Sequence, residues 1–360
     1  MKKVLIVSST PYSNSNRGID IICNAYKEKG YIVDHYAFPT RKRPSKIDNV
    51  KENELGINQL YSQKNTIGYY EKLMWFLPAL ITKLFIKEEL KSNTVDFNDY
   101  STVVLESGKP LMLAPLIPNN VDIIYRQSDP VKLFLSRNRY LWELENHVMK
   151  RAKIIFIVRD MFRKFISKEY LYKTITVVNG FNISKEDPKI TKNDIFPTDS
   201  INAVYLGFTP LDFDTIDYLC FNHTDVNFNI IGSCLSNKEL NKLKRYSNFK
   251  YHGVLPSSSY LPLIKYSDIG IMPFKDWKAI KYVGLNSKFL IFMKYGLPII
   301  SYKVGAIDEF ENLPVKFCDN KHQFSREIEM VKNEKKVMRY NIDFDYYSIN
   351  GRIKEYFKYL

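Results

Sequence analysis

The sequence predicts an α/β protein made of two doubly wound domains, each a parallel sheet with helices on both faces. Its 360 residues exceed one typical core and fit two domains of roughly 150–180 residues. Short, β-branched apolar runs recur along the chain, with helical stretches between them. Continuous apolar runs of this length are typical of parallel strands that are buried on both faces, so two such series predict two sheets.

Twelve runs carry this prediction, six in each half of the chain. The predicted strands are residues 4–8, 32–37, 102–106, 122–126, 154–158 and 174–178, then 203–207, 227–231, 250–252, 269–272, 298–301 and 315–317. Asn-Gly, Asp-Pro and Phe-Pro breaks cluster in residues 179–198 and indicate a hinge there. We therefore expect an N-terminal domain of residues 1–184 and a C-terminal domain of residues 185–345. The closing segment, residues 346–360, could return to the N-terminal domain.

Composition limits the class of protein further. Hydrophobic residues make up 45% of the chain, which is typical of a folded globular protein. The four cysteines are far apart in sequence and have no Cys-x-x-Cys spacing, which fits neither a zinc site nor a disulfide framework. The apolar run after Met1 is too short for a signal peptide, and no run of about 18 apolar residues occurs. These features predict a protein of a reducing compartment, the cytoplasm.

Positive charge is concentrated in the first half of the chain. The net charge is +14; residues 1–184 hold 28 Lys and Arg against 18 Asp and Glu, a balance of +10. Such a half suits an anionic partner, namely a phospholipid surface, a lipid pyrophosphate or a nucleic acid. The charge is scattered and no nucleic-acid motif occurs, so we expect no nucleic-acid partner. The absence of a Gly-x-Gly-x-x-Gly fingerprint and of a Walker lysine loop argues against a dehydrogenase or an ATPase.

Residues 73–90 have the pattern of an amphipathic helix. The segment holds Trp75 and Phe76 with Lys83 and Lys87, and the basic loop Arg41-Lys42-Arg43 precedes it. A Trp-bearing helix with flanking lysines is typical of an interfacial membrane anchor. A helix that covers the sheet needs a similar pattern, so both interpretations stay open.

Residues 286–300 predict a helix whose start suits an anion. Asn286 or Ser287 can cap the first turn, Lys288 follows, and Gly296 and Pro298 end the helix. A helix N-terminus carries about half a positive charge and free amide donors, and a lysine adds a full charge. The segment therefore suits a nucleotide-sugar diphosphate, with an ordinary α/β crossover as the alternative.

Other residues follow the ends of predicted strands in the second sheet. Gly232 and Ser233 follow residues 227–231, and Gly253 follows residues 250–252. Small residues there allow a base or ribose to approach the backbone closely. Tyr282, shortly before the lysine helix, could bond or stack on the same ligand.

In the first sheet, Asp129 follows the strand 122–126 and precedes Pro130. A carboxylate held at that edge could accept a proton from an attacking sugar hydroxyl. The alternative is a helix N-cap, a position that aspartate favours. Ser107 and Lys109 form a second loop at the same edge, beside Glu106.

Two Asp-x-Asp triplets raise the question of a metal. Asp212-Phe-Asp214 resembles a helix start, and Asp343-Phe-Asp345 lies near the C-terminus. Neither follows directly on a buried strand, and the five histidines lack ligand spacing. We expect no metal.

Several segments together resemble the GumK-like glucuronosyltransferases of xanthan-type polysaccharide assembly. Their order and approximate spacing match from about Val4 to Phe317. The segments are Val103-Val-Leu-Glu-Ser-Gly108, Tyr125-Arg-Gln-Ser-Asp129, Ile230-Ile-Gly-Ser233, Asp268-Ile-Gly-Ile-Met-Pro-Phe274, and Ser287-Lys288 through Gly296-Leu-Pro298.

The resemblance implies a GT-B fold, with two Rossmann-like domains facing a central cleft. It implies an inverting enzyme without metal or cofactor that transfers a sugar from a UDP-sugar to a lipid-linked oligosaccharide. It also implies a peripheral protein on the anionic inner face of the cell membrane.

The resemblance assigns roles to single residues. Asp129 becomes the general base. The donor-binding residues are Lys288, Ser287, Tyr282, Gly232, Ser233, Gly253, Val254, Leu255 and Thr209. From their place at the edge of the first sheet, and not from the resemblance, we predict that the acceptor side is lined by Glu106, Ser107, Lys109 and Arg126.

The chain departs from the family at nucleotide-contacting positions. Ile291 stands where the family has glutamine, and Val254-Leu255 stand for a Glu-Met pair. The donor sugar is therefore open, with glucuronic acid as one candidate. A GT-B enzyme of the retaining type, or one with another donor, is the alternative.

Overall fold

The computed structural model describes residues 2–13, 17–38, 50–52, 56–61, 77, 79–81, 83–84, 87, 95–134, 139–181, 191–196, 200–276, 280–334 and 337–360. The chain divides into two compact units. Unit 1 contains Met1–Asn182 and Asp345–Leu360, and unit 2 contains Ile183–Phe344.

Fourteen strands and eleven α-helices are found within these described ranges. The strands are β1 (Lys3–Ser8), β2 (Ile32–Ala37), β3 (Val50–Glu52), β4 (Asn58–Tyr61), β5 (Thr102–Glu106), β6 (Asp122–Gln127), β7 (Ile154–Ile157), β8 (Thr174–Thr176), β9 (Ile201–Leu206), β10 (Val226–Ile231), β11 (Phe249–Gly253), β12 (Ile269–Met272), β13 (Ile299–Tyr302) and β14 (Val315–Cys318). The helices are α1 (Gly18–Glu28), α2 (Val131–Phe134), α3 (Arg139–Arg151), α4 (Lys192–Ile195), α5 (Phe213–Asn222), α6 (Asn237–Leu243), α7 (Ser257–Lys265), α8 (Ser287–Lys294), α9 (Lys321–Glu334), α10 (Phe344–Tyr347) and α11 (Ile349–Phe357).

Unit 1 is built on an eight-stranded sheet in the order β3-β4-β2-β1-β5-β6-β7-β8. All pairs are parallel except β3 with β4. The central strands are continuous apolar runs that are buried, as Val4 to Val7 and Val103 to Leu105 illustrate, because helices cover both faces. The order reverses between β1 and β5, which makes their carboxyl ends a topological switch point.

Unit 2 repeats this plan with six parallel strands in the order β11-β10-β9-β12-β13-β14. Its switch point lies between β9 and β12. Each crossover in such a sheet needs a covering helix, and the amphipathic helices α5, α7, α8 and α9 supply apolar faces for it.

All twelve strands predicted from apolar runs are present, with ends shifted by at most two residues. The start of a helix at Asp212-Phe-Asp214 is confirmed, because Asp212 is the N-cap of α5. The edge strand β3 and its neighbour β4 were not predicted.

The closing segment packs within unit 1. Ile353 and Tyr356 of α11 join the core that α1 forms with the sheet, and the Tyr356 ring packs edge-on against Phe156 with centroids 4.9 Å apart. The Phe181 amide donates to the Tyr347 carbonyl at 3.0 Å. The last residues therefore complete the core of the first unit.

Within the described residues, no helix is long and apolar enough to cross a membrane.

Candidate functional site

Three glycines mark the carboxyl ends of neighbouring strands in the second sheet. Gly207 follows β9, Gly232 follows β10 and Gly253 ends β11, and their φ angles are 149°, 114° and 64°. The Gly207 amide donates to the Ile231 carbonyl at 2.9 Å, and the Gly232 amide donates to the Gly253 carbonyl at 2.7 Å. A Cβ atom on Gly232 would lie 1.9 Å from the Gly207 oxygen. The end of β9 therefore approaches residue 232 this closely only because that residue has no side chain.

The side chain of Lys288 lies across the first of these glycines. The N-cap of α8, Asn286, accepts a hydrogen bond from the Lys288 amide at 2.9 Å. A Cβ atom on Gly207 would lie 2.3 Å from Lys288 Cε. Because α8 follows β12 and Gly207 follows β9, this contact lies at the switch point, where ligands of open α/β sheets bind. We call Gly207, Gly232, Lys288 and the first turn of α8 the Lys288 cluster.

The body of α8 fixes the cluster in place. Phe289, Leu290 and Phe292 are fully or almost fully buried. The Phe292 ring fills the space beside Gly270, where an added Cβ atom would lie 2.5 Å from Cδ2. A charge carried on such a rigid helix is more exactly positioned than one on a loop.

The loop that leads into α8 is braced by the segment after β13. The Leu285 amide donates to Glu309 Oε2 at 2.7 Å. Gly305 packs so closely that a Cβ atom there would lie 1.7 Å from the Lys281 carbonyl oxygen. Tyr282, predicted to bind the donor, is half-buried on this braced loop.

The remaining predicted donor residues follow the same strand ends. The Thr209 carbonyl accepts a hydrogen bond from the Tyr205 hydroxyl at 2.8 Å. Ser233 and Val254 are exposed, directly after Gly232 and Gly253. Two more predicted residues are half-buried, namely Leu255, which follows Val254, and Ser287, the first residue of α8.

In unit 1, Asp129 lies two residues beyond the carboxyl end of β6. Its amide donates to Ser107 Oγ at 3.1 Å, and Ser107 Oγ lies 3.1 Å from Ser128 Oγ. The carboxylate is exposed, and no hydrogen bond to it is found among the described residues. The amide of Val131, the first residue of α2, bonds to Glu145 instead. Asp129 therefore does not cap α2.

Beneath this loop, Arg126 holds several elements together. Its guanidinium is 2% exposed and lies 3.3 Å from Glu106 Oε1. It donates to Asn179 Oδ1 at 2.6 Å and to the Tyr356 hydroxyl at 3.4 Å. A Cβ atom on Gly18 would lie 2.0 Å from Arg126 NH2, so the start of α1 also packs on it. Arg126 thus connects β5, α1 and α11 to the strand that leads to Asp129.

Burial and charge act in opposite directions on the carboxyls at this edge. Desolvation raises the pKa of Asp129, while Arg126 and Arg159 act to lower it. Desolvation likewise raises the pKa of Glu106, against the lowering effects of Arg126 and of the Ser128 hydroxyl, which donates to Glu106 Oε1 at 3.2 Å. A raised pKa moves a carboxylate towards the range in which a general base works best.

Other predicted residues lie apart from these two groups. Lys109 is half-buried at the start of a 3₁₀ turn that follows Gly108. Lys83 and Lys87 are exposed in a helical segment, whereas Trp75, Phe76 and Arg41-Lys42-Arg43 lie outside the described residues. The four cysteines are free and buried. In the described part of the chain, no group of three or more His, Cys, Asp or Glu could hold a metal ion.

Sequence reasoning missed two kinds of residue. Gly207 carried a usable signal, because it directly follows a buried strand. No sequence signal marks the second kind, Asn179, Glu145 and Tyr356. Their contacts join residues that lie between 18 and 230 positions apart in the chain.

No family model matches the chain, and no curated protein matches it. Many solved structures are similar to the chain, and three examples that match over nearly its whole length follow. HepE from Anabaena in complex with UDP-glucose has a TM-score of 0.63 at 13% identity and covers 100% of both chains. The UDP-forming α,α-trehalose-phosphate synthase from Burkholderia vietnamiensis has a TM-score of 0.61 at 11% identity and covers 99% of this chain and 96% of its own. MnaA from S. aureus with UDP has a TM-score of 0.55 at 13% identity and covers 100% and 98%.

The fold is GT-B. The prediction of two Rossmann-like domains is confirmed by the two parallel sheets and by these neighbours. The Lys288 cluster lies at the carboxyl edge of the sheet in unit 2, and Asp129 lies at the carboxyl edge of the sheet in unit 1. That is the edge at which open α/β sheets bind ligands.

Proposed function

We propose that this chain is a glycosyltransferase that moves a sugar from a UDP-sugar to an acceptor hydroxyl. The observation that carries the proposal is the Lys288 cluster. A lysine and a helix N-terminus meet beside glycine backbone at one sheet edge, and this combination suits a diphosphate. The solved structures of HepE with UDP-glucose and of MnaA with UDP support a uridine nucleotide as the ligand class.

In this proposal, the cluster acts mainly on the leaving group. When the bond between sugar and diphosphate breaks, negative charge grows on the diphosphate. A lysine and oriented amides that already point to that position stabilise the transition state more than the ground state. Lys288 is therefore assigned to the departing UDP, and Gly207 leaves free the space that the Lys288 side chain occupies.

Asp129 is assigned as the general base. It would take the proton of the acceptor hydroxyl as the oxygen attacks the anomeric carbon, which gives inversion in a single displacement. Glu106, Ser107 and Lys109 are assigned to the acceptor side, and Arg126 is a buried positioning residue through its ion pair with Glu106.

The finer proposal follows the sequence resemblance to GumK-like glucuronosyltransferases. It assigns a metal-independent reaction, a lipid-linked oligosaccharide acceptor and attachment to the anionic inner face of the cell membrane. Glucuronic acid is the first sugar to try. A retaining reaction is the alternative, and the anomeric configuration of the product distinguishes the two.

Ligand binding tests the proposal directly. We expect UDP to raise the melting temperature, equally with and without a chelator, and calorimetry to give a UDP Kd. A charge-assisted contact is worth about 1.5–3 kcal/mol, so Lys288→Met should raise that Kd roughly 10- to 100-fold. The matched control is Lys294→Met, which removes the same charge from the other end of α8. Equal effects of the two variants, or no response to UDP, would contradict the Lys288 assignment.

A further inference from the structure

A buried carboxylate lies beneath the loop that carries Asp129. Glu145 is on α3 and is 2% exposed, which is unusual for an ionisable side chain. The reaction described above does not use it. A buried carboxylate is costly unless hydrogen bonds satisfy it, so its partners indicate what it holds.

The partners of Glu145 flank Asp129 on both sides in sequence. The Tyr125 hydroxyl donates to Glu145 Oε1 at 2.6 Å, and Gln127 Nε2 donates to the same oxygen at 3.0 Å. The Val131 amide completes the set. The carboxylate thus binds residue 127, two positions before Asp129, and residue 131, two positions after it.

A second contact fixes the same loop from the neighbouring strand. The Asp129 amide donates to Ser107 Oγ at 3.1 Å. Residues 127–131 are therefore held by α3 through the Gln127 side chain and the Val131 amide, and by Ser107 at the end of β5 through the Asp129 amide. The Asp129 carboxylate itself, exposed and without a hydrogen bond among the described residues, is left available to a substrate.

We infer that Glu145 is a positioning residue that holds Asp129 in place for proton transfer. This inference rests on the proposed function of Asp129. A proton acceptor must lie within hydrogen-bond reach of the hydroxyl. A misplacement of about 1 Å can cost about 10²-fold in rate. Loss of the Glu145 carboxylate should therefore lower kcat and leave donor binding, which we assign to unit 2, unchanged.

Two variants and a matched control test the inference. Glu145→Gln keeps the shape of the side chain but removes its charge and replaces one of the two acceptor oxygens by an NH2 donor, so kcat should fall roughly 10- to 100-fold. Tyr125→Phe removes one of the three hydrogen bonds and should give a smaller loss in the same direction. Glu143→Gln removes an exposed carboxylate from the same helix and should leave kcat unchanged. KM for the donor and the Kd of UDP should stay at wild-type values in all three.

Hydrogen exchange supplies a readout that does not depend on turnover. In Glu145→Gln, peptides that cover residues 125–134 should exchange faster than in the wild type. Peptides that cover α8 should be unchanged, and Glu143→Gln should match the wild type throughout.

The outcomes separate the inference from the proposed function. If the wild-type protein binds no UDP and turns over no UDP-sugar, the proposed function fails. If the wild type is active while Glu145→Gln keeps wild-type kcat or unchanged exchange at residues 125–134, the positioning role is wrong. Parallel losses of kcat and of UDP affinity would also overturn it, because they indicate general unfolding.

Discussion

The protonation of Asp129 depends on three identifiable influences. The carboxylate reaches solvent, but the surrounding protein removes enough water to raise its pKa, and Arg126 and Arg159 oppose that effect. Arg126 is buried, forms an ion pair with Glu106 and donates hydrogen bonds to Asn179 and Tyr356. Arg159 is only half-buried, so it can be changed with less damage to the core. Substitution of Arg159 is therefore the better way to change the pKa of Asp129.

The pH dependence of the reaction follows from the direction of this shift. A general base works only when ionised, so kcat/KM should fall as the pH drops through the pKa of Asp129. Because that pKa is raised, the acid limb of the profile of kcat/KM against pH should have its midpoint above the ordinary aspartate pKa of about 3.9. Arg159→Gln removes a lowering influence, so the pKa should rise further and the limb should move to higher pH.

A nearby arginine controls for general charge effects. Arg163→Gln removes a charge that is paired with Asp160 at 3.1 Å and is not among the influences on Asp129. The limb should stay in place in that variant. A limb that moves to lower pH in Arg159→Gln would contradict the assignment of Asp129 as the base.

At the scale of elements, apolar runs made the sheets predictable. Strands such as β1 and β12 are buried on both faces and must be apolar throughout, so their sequences carry a clear signal. The edge strand β3 and its neighbour β4 are short and largely polar, Val-Lys-Glu and Asn-Gln-Leu-Tyr. The edge strand β3 can be polar and charged because one of its sides faces no other strand. Runs as short and polar as these two do not stand out from a loop.

The same distinction applies to the site. Asp129 and Lys288 could be predicted because each occupies a local position, after a strand or in the first turn of a helix. Glu145 could not, because an acidic residue in the amphipathic helix α3 looks like a solvent-facing one. Its role depends on contacts with Tyr125 and Gln127, which come from another element.

The contact between α8 and the end of β9 predicts different effects at two glycines. Alanine at Gly207 would meet Lys288 Cε at 2.3 Å, near the flexible end of a side chain, and the Tyr205 hydroxyl at 3.1 Å, whereas alanine at Gly232 would meet the backbone oxygen of Gly207 at 1.9 Å. Gly207→Ala should therefore fold, at a cost of about 1–3 kcal/mol for its positive φ. It should still displace the Lys288 ammonium and raise the Kd of UDP about 10-fold, the equivalent of about 1.4 kcal/mol.

Calorimetry and thermal unfolding distinguish the two substitutions. Gly232→Ala should lower the melting temperature more than Gly207→Ala. Gly30→Ala, at a positive φ of 80° with open space around it, controls for backbone strain and should leave the Kd of UDP unchanged. Unaltered UDP affinity in Gly207→Ala would argue against a role for Lys288 in binding the diphosphate.

At the scale of the whole molecule, the charge distribution supports the proposed membrane surface. The net charge is +14, and residues 1–184 carry 28 basic against 18 acidic side chains, so +10 of it falls in that half. In the same half, Leu80 and Leu84 are 51% and 41% exposed, while Ile81 between them is 3% exposed. Lys83 and Lys87 are exposed beside them. Among the described residues of this segment, Ile81 is turned inward, and leucine and lysine side chains are turned outward, which suits an anionic interface.

Vesicle sedimentation tests this proposal with the complete chain. We expect binding to vesicles that contain phosphatidylglycerol, weak binding to neutral phosphatidylcholine vesicles, and a fall in binding as salt screens the charges. The double variant Leu80→Ser with Leu84→Ser removes buried apolar area at the interface, so binding should weaken even at low salt. Phe221→Ser replaces a side chain that is 69% exposed in unit 2 and should bind like the wild type. Equal binding to both vesicle types, or equal losses in the double variant and in Phe221→Ser, would mean that this segment does not direct the protein to an anionic surface.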